Sequence, residues 1–157
     1  MNAPVWDLSV AYSGLDDPRI AADIAFVRER LSDLLQWQVA AAEITVLQQA
    51  VSQCELARIS AYNLAEYAGC LLAVNSADEV ARKLSGQVDK LLAELEQAFE
   101  PFDNRLIRMD AGALEQLLGT EDGSGSLERF RFSIEQRRSL RDTRLDVAEE
   151  QLLSLMA

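Results

Sequence analysis

Apolar positions near the start of the chain recur at steps of three and four residues: Ile20, Ile24, Val27, Leu31, Leu34 and Leu35 fall on one face of a helix. Asp17 followed by Pro18 marks its beginning. An aspartate at the N-cap accepts an orphan backbone N–H, and the fixed φ of proline suits the first helical position. Upstream, the stretch from Val5 to Gly14 mixes aromatic and β-branched residues without a helical period, which predicts a short extended arm ending in the turn signal Gly14-Leu15-Asp16-Asp17-Pro18. Between Ala40 and Cys70 the strong breaker is Gly69, and Ile44, Leu47, Val51 and Cys54 step along one face. A long second helix follows, with a bend near Ser60 where Tyr62, Leu64, Tyr67, Leu71 and Leu72 leave the narrow stripe.

Ser76 and Glu79 have the spacing of a capping box and predict the start of a third helix. Its stripe is Val80, Leu84, Val88, Leu91, Leu95, Phe99 and Phe102, with Pro101 expected to kink or end it by removing a backbone donor. The short connection predicts antiparallel packing on the second helix. Asp110 caps a short helix through Leu114, Leu117 and Leu118, stopped by Gly119, and the run from Gly119 to Ser126 reads as a loop. Leu127, Phe130, Ile134 and Arg137-Arg138 fit a further helix, and Asp146 with Glu149 precedes a last one bearing Leu152, Leu153, Leu155 and Met156. No segment alternates with period two. The expected fold is therefore all-α, an antiparallel helical bundle with a short extended N-terminal arm, forming a single helical domain over residues 1–157.

Charge changes the picture of possible partners. Lys and Arg number 15 against 26 Asp and Glu, a net charge of -11, which opposes binding to a polyphosphate backbone, so nucleic acid is excluded as a partner. The opening Met1-Asn2-Ala3-Pro4-Val5-Trp6-Asp7 lacks a basic and an apolar leader region, and the apolar clusters fall short of the ~20 residues that span a bilayer. No membrane partner and a cytoplasmic location are expected.

The chain contains no histidine. That removes the common general base, the Ser-His-Asp and Cys-His arrangements and any zinc site built on imidazole. The carboxylate pairs Asp16-Asp17 and Glu149-Glu150 stand at helix starts, where capping and the helix dipole account for them. Gly123-Ser124-Gly125 lacks the strand and the lysine of a phosphate loop. The cluster Arg129, Arg131, Arg137, Arg138, Arg141 and Arg144 reads as a solvated face or as internal ion pairs with the acidic helices. Trp6, Trp37, Tyr62 and Tyr67 read as packing residues, and Cys54 and Cys70 as buried, reduced thiols. No catalytic, cofactor-binding or metal-binding residue is expected in this chain.

Trp6-Asp7-Leu8-Ser9, followed by Tyr12 and then Gly14-Leu15-Asp16-Asp17-Pro18 into a helix, resembles the start of oligoendopeptidase F-like metallopeptidases, whose N-terminal region begins with a W-D-L-S-x-x-Y stretch. Ile59-Ser60-Ala61-Tyr62, the long helix to Phe99-Glu100, the Leu114–Leu118 element and the run Leu145-Asp146-Val147-Ala148-Glu149-Glu150-Gln151-Leu152-Leu153 are similar to that region's layout. The resemblance covers nearly all of this chain and the N-terminal part of the longer family chain. It implies a helical domain that walls a peptide channel and packs on a catalytic domain, which is where the zinc and the H-E-x-x-H helix of the family lie; no catalytic or zinc-binding residue carries over. The chain reads as cut short, because its last amphipathic pattern reaches Ala157 without a cap. Alone it is expected neither to hydrolyse peptides nor to retain zinc, and to associate with itself as a dimer through its third and C-terminal helices. The alternative from the residues is a free-standing acidic helical interaction or scaffold protein that binds a partner helix in a groove.

Overall fold

A computed structural model describes residues 7–41, 43–119 and 127–139. These are helical, with no strand among them, and the helices pack as an all-α bundle. The chain divides into two compact units, residues 1–100 and 101–157. The first holds α1 (Pro18–Trp37), α2 (Ile44–Val74) and most of α3 (Glu79–Arg108).

Polar contacts fix the directions of these helices. Arg30 near the end of α1 donates to Gln53 near the start of α2, at 3.2 Å, while Tyr12 just before α1 packs on Tyr67 near the end of α2. Those two helices are therefore antiparallel. Arg58 reaches Glu96 at 2.6 Å, and the last turn of α2 leads directly into α3, so these two are antiparallel as well. It follows that α1 and α3 run in the same direction, and Gln38 donates to the Ala98 carbonyl at 3.1 Å across their matching ends. Between them, Ile20, Ile24 and Val27 of α1 bury against Ala61, Leu64, Tyr67 and Ala68 of α2 and Leu84, Val88 and Leu91 of α3. Alanines on the inward face of α2 let neighbouring helices approach closely, and Leu64 is fully enclosed.

Local chemistry sets most boundaries, though not always the ones read from sequence. Asp17 caps α1 with Pro18 in the first turn, as expected, and Asp110 caps α4 (Ala111–Leu118) by accepting from the Ala113 N–H at 2.9 Å. At the start of α3 the cap is Asp78 rather than Ser76: its carboxylate accepts from the Val80 and Ala81 N–H groups, both at 3.0 Å. Ser76 instead offers its carbonyl to Arg82. The described part of the arm is not extended. Ala11 and Tyr12 both donate to the Leu8 carbonyl, which coils the chain into a turn and drives the Tyr12 ring inward.

The second helix runs unbroken from Ile44 to Val74, and α3 continues through Pro101 rather than ending there. Proline withholds a single donor, the one that would bond to the Gln97 carbonyl, and both residues are exposed, so water can serve that acceptor.

The second unit buries Phe102, Leu106, Ile107 and Met109 with Leu114, Leu117 and Leu118 of α4, Leu127 of the 3-10 turn Leu127–Phe130, and Ile134 of α5 (Arg131–Ser139). Among the described residues of the arginine cluster, Arg131, Arg137 and Arg138 are spent on internal bonds. Arg131 holds Glu115 of α4 at 2.6 Å and Glu128 at 2.7 Å. Arg137 pairs with Asp103 at 2.8 Å, and Arg138 donates to the Leu106 and Ile107 carbonyls in the last turn of α3. Arg129 stacks over Phe130. Arg141 and Arg144, Trp6, the Gly123-Ser124-Gly125 run, Glu149-Glu150 and the expected last helix lie outside the described residues.

Candidate functional site

The junction between the arm and α1 is the most densely bonded polar site of the first unit. Asp17, whose side chain is 4% exposed, accepts from the Ser13 N–H and hydroxyl, from the Arg19 N–H and from the Arg19 guanidinium at 2.7 Å. The Arg19 guanidinium, then the Ser13 and Arg19 backbone donors, hold its carboxyl well below the usual carboxylate range. Next to it the Tyr12 hydroxyl donates to Asp23 at 2.8 Å, its ring meets Tyr67 edge-on at 4.9 Å, and Arg19 lies over its face. Burial, then the bond to the Asp23 carboxylate, pushes the Tyr12 phenol up. Every strong donor and acceptor here has a partner within the fold, so the chemistry of the junction is that of a fastener.

Beside the junction, the seam between the first half of α1 and the first turns of α3 opens into a groove of about 500 Å3. Ile20, Ile24 and Leu84 form its floor and Val80, 56% exposed, stands on its wall. Arg28 and Lys83 line it too, with Asp16 at the end next to the α1 N-terminus. In the first unit, Arg19, Arg30, Arg58 and Lys90 are engaged by carboxylates and Arg82 by the Ser76 carbonyl. Among the described residues, Arg28 and Lys83 are engaged by none. The sequence shows both cations, but their meeting at one groove follows from the parallel course of α1 and α3, which periodicity cannot give.

A third feature is the outer face of α2. Leu56, Ile59, Tyr62 and Val74 are exposed along it, and the charged residues of the whole helix are Glu55, Arg58 and Glu66, of which Arg58 turns to Glu96 of α3. Tyr62 was expected in the packing and is instead 53% exposed, whereas Tyr67 is buried. Cys54 is buried as expected; Cys70 is exposed, because it lies on this outer face although it adjoins Leu71 in sequence. Successive helix residues point about 100° apart, so an apolar neighbour does not imply burial.

Among the described residues no three His, Cys, Asp or Glu side chains gather as a metal site, and no helix is long and apolar enough to cross a membrane. Comparison with models of known families, with curated proteins and with solved structures finds no match to this chain.

Proposed function

We propose that the chain is a non-catalytic helical domain of the kind that forms the N-terminal region of oligoendopeptidase F-like zinc metallopeptidases, or a truncated copy of one, walling a peptide channel and packing on a catalytic domain. The observation that carries this reading is the use made of the resembling segment. Asp7 accepts from the Ser9 N–H, Tyr12 is buried between α1 and α2, and Asp17 ties the arm to the first turn of α1. A stretch that fastens a helical pair in this way has reason to keep its residue pattern. The outer face of α2, which exposes Leu56, Ile59, Tyr62 and Val74, is the surface such a catalytic domain would cover. The same face supports the alternative, a free-standing acidic interaction module that closes on a partner or on a second copy.

Mixing the purified chain with an oligoendopeptidase F-like catalytic domain expressed without its own N-terminal region tests the proposal. The expected result is a complex on size exclusion that alters cleavage of a fluorogenic peptide and is lost in Ile59→Glu, while the chain alone cleaves nothing. Absence of a complex together with unchanged cleavage would overturn the peptidase reading and leave the interaction module.

A further inference from the structure

We propose that the groove between α1 and α3 docks an acidic, aliphatic peptide segment of a partner protein, with carboxylates held by Arg28 and Lys83 and aliphatic side chains laid on Ile20, Ile24, Leu84 and Val80. The inference goes beyond the family reading and does not depend on it, since the groove belongs to the first unit whatever covers α2.

Charge complementarity selects the occupant. The chain carries a net charge of -11, and most cations of its first unit are already matched to internal partners. Two unmatched cations on one apolar groove are the place where an anionic group gains two charge-assisted contacts without displacing an existing bond. Asp16 at the far end repels a second anion there, so the segment is polar along its length, with its acidic end toward Arg28. From Pro18 to Arg28 the helix rises about 15 Å, the span of roughly four or five residues of extended chain.

The shape favours a peptide over an alkyl carboxylate. The groove is open along its side, and an alkyl chain lying in it would keep one flank in water. An extended peptide puts alternate side chains down onto the aliphatic floor and leaves its backbone polar groups solvated.

Fluorescence anisotropy with fluorescein-labelled heptapeptides of aliphatic residues that carry two glutamates at one end tests the proposal on the full chain, with glutamine-for-glutamate and lysine-for-glutamate sets and sodium decanoate as comparators. The glutamate set is expected to bind, the glutamine set at least about tenfold more weakly, and the lysine set not at all. Arg28→Glu with Lys83→Glu should abolish binding of the glutamate set and admit the lysine set. Arg28→Gln with Lys83→Gln should weaken the glutamate set without admitting the lysine set. Both positions of substitution, Arg28 and Lys83, are charged side chains on the groove, and circular dichroism checks that the helices persist. Val80→Asp should weaken the glutamate set by a similar factor. Equal affinity for the glutamate and glutamine sets, affinity unchanged in the charge-reversed variant, no binding of the glutamate set at millimolar concentration, or displacement of it by decanoate at lower concentration than by unlabelled peptide would each overturn the proposal.

Discussion

Asp17 shows how much one side chain can organise. It closes the arm through Ser13, caps α1 through the Arg19 N–H and neutralises the Arg19 guanidinium. Because the folded carboxyl is held below its unfolded value, the stabilisation is complete above about pH 4, the ordinary aspartate value, and is lost as pH falls through the depressed folded value. Asp17→Asn keeps a capping oxygen and removes the charge. Its thermal midpoint should lie below that of the parent at neutral pH, by on the order of 5 °C, and the gap should shrink steadily on acidification below about pH 4. A gap that stays constant through that range would mean the charge contributes nothing. The two thiols give a second check at this scale: Cys70 should react with a thiol reagent within the mixing time and Cys54 only on unfolding. Equal rates for both would place Cys70 inside.

At the scale of the element, the sequence was most legible where the signal is local and short. Asp17-Pro18, Asp110 and Gly119 mark helix ends because a cap needs one side chain and its nearest N–H groups, all within a turn. It was less legible where two local signals compete. Ser76 with Glu79 has the capping-box spacing, yet Asp78 stands nearer the first turn and its carboxylate is the stronger acceptor, so the helix begins there. Pro101, expected to kink or end α3 because its local cost is large, does not end it: packing on either side, with Phe99 and Phe102 both buried, holds α3 together. Pro101→Ala should therefore stabilise the chain, by up to the ~3 kcal/mol that an interior proline costs relative to alanine. Chemical denaturation would register this as a raised midpoint with an unchanged slope, and a lowered midpoint would show that the proline is favourable where it stands.

For the whole molecule, what the sequence hid is mutual placement. Periodicity finds each stripe, but which stripes meet, and which face stays open, depends on the course of the other helices. Thus the groove cations and the exposed face of α2 emerge only once α1, α2 and α3 are side by side, while the third helix, expected as an interface, buries most of its stripe internally. We propose that two copies associate through the outer face of α2 when no other domain covers it. Light scattering should then give twice the 17.4 kDa chain mass at micromolar concentration, falling to the monomer mass in Ile59→Glu. A monomer in both low and high salt would refute it. The fastening of Tyr12 onto Tyr67 carries a consequence for folding kinetics. The helices α1 and α2 are joined by a short connection, so their pairing can start beside it at small loop-closure cost and zip toward the open end. Tyr12 docks at that far end, so its contact is expected to form last and release first. Tyr12→Ala should accordingly hasten unfolding and leave the refolding rate untouched, so that the arm acts as a latch on the lifetime of the native state while contributing nothing to the speed of reaching it.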